Sequence, residues 1–190
     1  MSSNITKVAV IGTGVIGAGW IIRALAHNKK VTAFDKDIKL KKKLIREIKR
    51  TWPYVKKLFN KKKLNLNKLK FVDSIKEAVK DADFIQECAT ENYSLKTKLM
   101  HNIGKYNIRV NAICPGTIKG DRMKRVIRDK AKFTKISAKK IENDFVSMAS
   151  MNSWINEEDI GNMCAYLISD YANKISGQVI AVDGNAERMD

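Results

Sequence analysis

The chain has 190 residues, 44% of them apolar and 30% charged, with 10 Gly, 2 Pro and a formal charge of +17. That composition excludes a disordered, collagen-like or Gly/Pro-rich polymer and suits a packed domain of ordinary size. Cys88, Cys114 and Cys164 are too few and too widely spaced for a disulfide framework or a CxxC knuckle, so no metal and a reducing, cytoplasmic setting are expected.

Lys7, the uncharged residues 8–22 and then Ala24-Leu25-Ala26 mimic a secretion signal. Glycine spacing argues against that reading. Val8-Ala9-Val10-Ile11 has the character of a buried parallel strand and runs straight into Gly12-Thr13-Gly14-Val15-Ile16-Gly17. Ile21, Ile22, Leu25 and Ala26 follow at helical spacing, and a second strand over Val31–Phe34 ends at Asp35. Strand, glycine turn, helix, strand and acid in this order make the βαβ fingerprint of dinucleotide binding. Gly12 serves the tight turn, Gly14 the approach of backbone to a pyrophosphate and Gly17 close helix–strand packing, with Thr13, Val15 and Ile16 completing the anion loop at the helix N-terminus. Asp35 would accept hydrogen bonds from the adenosine ribose and repel a 2′-phosphate, so NAD is expected over NADP. The adjacent Lys36 offsets part of that charge.

Residues 39–70 carry 14 Lys and Arg against the single acid Glu47. Residues 38–70 read as two basic helices around Trp52-Pro53, since Pro is best placed near a helix start, and Leu40, Leu44, Ile45 and Ile48 give the first an apolar stripe. The charge itself reads as a solvated face. Lys outnumbers Arg 29 to 8 in the chain, so any nucleic-acid contact would be nonspecific and salt-dependent. A strand at 71–73, a helix near 74–80, a strand at 84–89 and a helix over 93–103 follow. No apolar run reaches the ~20 residues that span a bilayer.

Residues 6–103 resemble the NAD-binding domain of the 3-hydroxyacyl-CoA dehydrogenase superfamily, nearest its carnitine and gulonate 3-dehydrogenase branch. The resemblance rests on Ile11-GTGVIGAGW-Ile21, Thr32-Ala33-Phe34-Asp35, Thr51-Trp52-Pro53 and the run Ala82 to Asn92, ADFIQECATEN. It implies that the glycine loop and Asp35 hold NAD and that Glu91 and Lys96 lie beside its ribose and nicotinamide end. The catalytic His and following Glu of that family have no counterpart: His27 and His101 lie in no matching motif.

Residues 104–187 are similar to the C-terminal part of short-chain dehydrogenases. Gly104 to Gly116, GKYNIRVNAICPG, matches that family's sixth strand, and Ile175 to Gly184, ISGQVIAVDG, its closing turn and last strand. Between them, 119–155 resembles its substrate-binding helices, with Met123, Val126, Ile127, Ile141, Phe145 and Val146 facing substrate or core. A helix opens at Glu157-Glu158-Asp159, capped by Asn156, and buries Ile160, Met163, Cys164, Leu167 and Ile168. The resemblance implies that Pro115, Gly116 and Ile118 flank the nicotinamide. It also implies a homodimer through 157–184. The family's Tyr with Lys four residues on is missing, because Leu58, Thr97, Val110, Asp170 and Ile175 stand four beyond the five tyrosines.

The expected fold is therefore α/β, a single doubly wound Rossmann-type parallel sheet with helices on both faces. One composite domain over 1–190 would join a half at 6–103, with its basic insert at 38–70, to a half at 104–190. The expected strand order runs 31–35, 8–11, 84–89, 109–114 and 179–183, with 71–73 at the far edge. The expected function is that of an NAD-binding protein of dehydrogenase ancestry. If active, it would oxidise a 3-hydroxy acid or its CoA ester, with no catalytic residue identifiable. The alternatives are a noncatalytic NAD-binding or polyanion-binding module, or a gene fusion without a selected function.

Overall fold

The computed structural model describes residues 5–37, 39–60, 63–89 and 92–186. The chain divides between Ile108 and Arg109 into two compact units.

The amino-terminal unit holds β1 (Lys7–Ile11), α1 (Val15–Ala26), β2 (Lys30–Phe34), α2 (Leu40–Leu58), β3 (Leu69–Val72), α3 (Ile75–Val79), β4 (Phe84–Glu87) and α4 (Tyr93–Gly104). Its four strands pair in parallel in the order β3-β2-β1-β4. The β1 and β2 strands are apolar and short, as crossover-connected strands buried on both faces must be. Val8, Val10, Val31 and Ala33 project to one face and join Ile21, Ile22 and Leu25 of α1 and Leu44 and Ile48 of α2 in one core. Burying side chains of this kind contributes about 1.5–3 kcal/mol each. The alternate positions face the other way, where α3 packs on β1, β2 and β3.

Local signals set the ends of these helices. Asn28 sits at φ 61° and closes α1 as its N–H donates to Leu25 O and that of Lys29 to Ala24 O, a left-handed termination that Asn tolerates. The Ser74 hydroxyl accepts from Glu77 N–H at 3.1 Å and caps α3.

The basic segment corrects one expectation. A single helix, α2, runs through Pro53 where two were expected. Leu44, Ile48 and Trp52, spaced by four, are all buried, and α2 packs on α1. That apolar stripe outweighs the ~3 kcal/mol that an interior proline costs.

The carboxy-terminal unit holds β5 (Ala112–Pro115), α5 (Asp121–Thr134), α6 (Ala138–Ser147), α7 (Glu157–Ile168) and β6 (Val179–Val182). β5 and β6 pair in parallel, Ala112 opposite Val179. The α/β class with parallel strands is as expected, and where one sheet was expected the strands are assigned to a four-stranded sheet, β3-β2-β1-β4, and a two-stranded sheet, β5-β6. Residues 109–111 bond within the carboxy-terminal unit. Arg109 Nη1 donates to Ala172 O at 2.9 Å and to Leu167 O. Val110 N–H donates to Ser176 Oγ, and its carbonyl accepts from Gly177 N–H. Asn111 donates through Nδ2 to Ile175 O and accepts through Oδ1 from Gln178 N–H. With these groups taken by the 175–178 turn, the ladder starts only at Ala112.

Asp159 accepts from the Asn156 N–H at 2.7 Å and fixes the start of α7. Of its expected apolar face Leu167 is buried, with Ile160, Met163, Cys164 and Ile168 half-buried. Ile127 and Ile141 are buried as expected, whereas Val126 is exposed. Among the described residues no helix is long and apolar enough to cross a membrane.

Candidate cofactor site

The glycine loop connects the carboxyl end of β1 to the start of α1. Gly12 has φ +90°, a conformation L side chains rarely adopt, and a Cβ there would lie 2.5 Å from Cys88 O. Its N–H donates to Phe34 O at 2.8 Å, so the turn begins against the end of β2. Gly17 is held as closely: a Cβ would stand 1.9 Å from Gly12 O. Gly14 is different. It caps α1 with extended backbone, and a Cβ there would meet nothing within 4 Å. The first bond of α1 runs from Ala18 N–H to Gly14 O at 2.8 Å. The N–H groups of Val15, Ile16 and Gly17 therefore precede any intrahelical acceptor, at the positive end of the helix dipole.

Val15 and Ile16 are 88% and 71% exposed, which leaves the loop open on its outer side. Thr13, 5% exposed, is buried beneath it. Asp35 Oδ2 accepts from Thr13 N–H at 2.6 Å and from its hydroxyl at 3.0 Å, while Oδ1 accepts from Asp37 N–H at 3.2 Å. An ionised carboxylate has about four acceptor positions, and the bonds among the described residues use three of them.

A second group stands at the carboxyl end of β4. Cys88 N–H donates to Ile11 O at 2.7 Å, and burial pushes the Cys88 thiol above its ordinary range. Glu87 accepts from Ala89 N–H, and its other oxygen lies 3.3 Å from Lys96 Nζ on α4. Glu87 was not singled out from sequence. An acid at the carboxyl end of a parallel strand is the signal that could have found it. Glu91 lies outside the described residues.

The residues so assembled suit a dinucleotide: bare backbone at Gly14, free donors at a helix start and an acid at the end of the next strand. Pro115, Gly116 and Ile118, also expected beside the nicotinamide, belong to the carboxy-terminal unit and have structural roles there. Pro115 ends β5. Gly116 donates its N–H to Val182 O at 3.0 Å, and a Cβ on it would come within 2.7 Å of Asp183 Cα. Ile118 forms an isolated parallel bridge with Ile155.

The family model for "3-hydroxyacyl-CoA dehydrogenase, NAD binding domain" matches residues 7–146, which extends beyond Ile103. An L-carnitine dehydrogenase of Oceanobacillus iheyensis is 48% identical over 100 residues, covering 53% of this chain and 33% of that protein. One from a Pseudomonas species is 41% identical over 97 residues, covering 51% and 30%. The chain thus spans about a third of the length of the curated relatives it matches. Among solved structures, L-sorbose reductase of Gluconobacter frateurii, complexed with NADPH and L-sorbose, covers 99% of both chains at 16% identity and TM-score 0.56. The (S)-3-hydroxybutyryl-CoA dehydrogenase of Ralstonia eutropha covers 58% of this chain and 41% of its own at 23% identity and TM-score 0.50. At these identities the likeness is one of fold.

Proposed function

Because the chain belongs to the family of 3-hydroxyacyl-CoA dehydrogenase NAD-binding domains, we propose that it seats NAD with the pyrophosphate at Gly12–Gly17 and the adenosine ribose at Asp35. NAD is its cofactor, and it is an oxidoreductase-family chain related to the carnitine dehydrogenases. The observation that carries the assignment is the uncovered backbone at Gly14 next to the unbonded first turn of α1. Bound NAD supplies a hydride acceptor. The chain's own residues then have separable tasks: the α1 N–H groups bind the anion, Asp35 Oδ1 takes a ribose hydroxyl, and the Thr13–Asp35 pair holds the loop in shape. Glu91 and Lys96 belong at the nicotinamide end, with Pro115, Gly116 and Ile118 as further contacts.

The substrate class in this reading is a 3-hydroxy acid or its CoA ester, going to the 3-oxo form. Oxidation releases a hydroxyl proton as well as a hydride, and the 190 residues contain neither the family's His–Glu set nor the Tyr–Lys pair of short-chain dehydrogenases. Lack of such a base costs about 10²–10⁴ in rate, so the chain binds NAD while turning over poorly by itself. Residues 104–187 are read as derived from a short-chain dehydrogenase, a hybrid origin that rests on their motifs. A homodimer through 157–184 belongs to the same reading, and sedimentation showing only monomer refutes it.

The deciding experiment is a thermal melt of purified protein with and without NAD and NADP, since a ligand that binds only the native state raises the midpoint. An upward shift with NAD, absent in Gly14→Val, supports the assignment. A cooperative melt that NAD does not move overturns it, and the absence of a cooperative melt favours a fusion without function.

A further inference from the structure

The amino ends of the strands in the amino-terminal unit carry a second arrangement, built from lysines. Register places Lys7 of β1 opposite Lys30 of β2 and Lys70 of β3 opposite Thr32 of β2. Lys30 and Thr32 are two residues apart on one strand and so project to one face. Three ammonium groups and a hydroxyl from three adjacent strands therefore share one side of one end of the sheet. Like charges directly opposite on paired strands are destabilising; among the described residues Lys7, Lys30 and Lys80 make no ion pair, and Asp83 is the carboxylate that acts on Lys7. These groups line a cavity of about 430 Å³ beneath α3, together with Lys68, Lys80, Glu77 and Asp81.

The acids nearby do not neutralise it. Glu77 lies 2.6 Å from Lys70 Nζ. Asp83, close to Lys7, accepts from the Thr6 and Lys7 N–H groups. Lys68 donates to Asn28 Oδ1 at 2.6 Å and Asn28 O at 3.0 Å. The lining keeps five lysines against two carboxylates. A volume of this size is within the range of small-molecule sites.

We propose that this cavity binds a small phosphate-bearing anion. Lysine ammoniums are compact charges on flexible stems, able to converge on a tetrahedral oxyanion from several directions, whereas the flat bidentate fork that matches a carboxylate belongs to arginine. An anion between Lys7 and Lys30 converts their repulsion into two attractions, and the Thr32 hydroxyl supplies a neutral donor deeper in the cavity. The strands are parallel, so this end is the one opposite the glycine loop. A five-residue strand at ~3.3 Å per residue separates the two by roughly 15 Å, and the anion is therefore a ligand in its own right and no part of the dinucleotide.

The test is calorimetric titration of the whole chain with inorganic pyrophosphate, with and without saturating NAD, and with citrate as a carboxylate control. The expected result is one saturable site under saturating NAD, which fills the glycine loop, and that site prefers pyrophosphate to citrate. It weakens at least tenfold in Lys7→Gln/Lys30→Gln, and Lys56→Gln/Lys57→Gln on α2 leaves it unchanged. No saturable binding under saturating NAD, equal affinity for citrate, or equal loss in the α2 variant would each overturn the proposal. Acetylation of the unmutated protein gives a readout independent of variant folding: pyrophosphate should protect Lys7 and Lys30 more than Lys56 and Lys57, and uniform labelling counts against the site.

Discussion

Thr13 and Asp35 are joined twice, the Asp35 Oδ2 accepting both the Thr13 N–H at 2.6 Å and the Thr13 hydroxyl at 3.0 Å. The pair ties the buried residue of the glycine turn to the end of β2, so in the proposed NAD site the acid would shape the loop as well as meet the ribose. Asp35→Ala leaves a buried N–H and hydroxyl unsatisfied, at a cost of about 1–3 kcal/mol, and should lower NAD affinity at least tenfold while raising NADP relative to NAD. Asp35→Asn keeps a carbonyl acceptor and should lose less stability. Urea melts and titrations with both cofactors check the two effects separately. Equal NAD affinity in Asp35→Ala would remove Asp35 from the site.

The three loop glycines should separate stability from binding. A Cβ at Gly17 meets the Gly12 carbonyl and one at Gly12 meets the Cys88 carbonyl, both backbone atoms that cannot swing aside. Gly12→Ala carries in addition a backbone penalty of order 1–3 kcal/mol. Gly17→Ala and Gly12→Ala should therefore lose several degrees of melting temperature. Gly14→Val, with open space around it, should melt within a few degrees of the parent yet show no NAD shift. If Gly14→Val binds NAD normally, the pyrophosphate lies elsewhere.

Gly12 and Gly17 were legible in the sequence because each answers to a backbone need that a side chain would break, and Gly14 through its place in their spacing. The spacing from Gly12 to Asp35 foretold the β1–α1–β2 unit, and Asn156 ahead of three acids marked the start of α7. Other features depended on partners distant in sequence. The continuity of α2 through Pro53 comes from packing on α1, which a local proline rule does not include. Within the carboxy-terminal unit, Arg109, Val110 and Asn111 are held by Leu167, Ala172 and the 175–178 turn, partners that lie more than fifty residues on. The lysine cavity is visible only once Lys7 and Lys30 are known to be opposite each other, a matter of register.

Pro53 provides a direct measure of that override. Its ring nitrogen has no hydrogen to donate to the carbonyl of Lys49, and Pro53 occupies an interior position of α2. Pro53→Ala restores a donor at a site the helix already passes through, and should raise stability by ~1 kcal/mol or more. A higher urea midpoint at unchanged slope is expected. A lower midpoint would mean that the ring packs against the unit in a way its helix position does not convey.

The cysteines should differ in reactivity. Burial raises the thiol pKa of Cys88 and Cys164, so at pH 7.5 both hold less of the nucleophilic thiolate than an ordinary cysteine. Cys114 is exposed. Iodoacetamide should label Cys114 first and Cys88 only slowly, and peptide mass spectrometry gives the order. Rapid labelling of Cys88 would indicate that the end of β4 opens readily.

Asp83 sets the expected acid response. The N–H groups of Thr6 and Lys7 hold its carboxyl below the ordinary range, outweighing a small opposing effect of burial. A depressed folded pKa means that the stabilisation is fully present above the unfolded value of about 3.9 and is lost as pH falls through the folded one. Asp83→Asn should therefore lower the urea midpoint at pH 7, by a modest amount because the group is exposed, and should flatten the fall in stability below pH 4. The parent and variant curves should converge at low pH, where the parent carboxyl is also neutral. Curves that stay parallel down to pH 2.5 would show that the Thr6–Asp83 contact contributes nothing to the folded state.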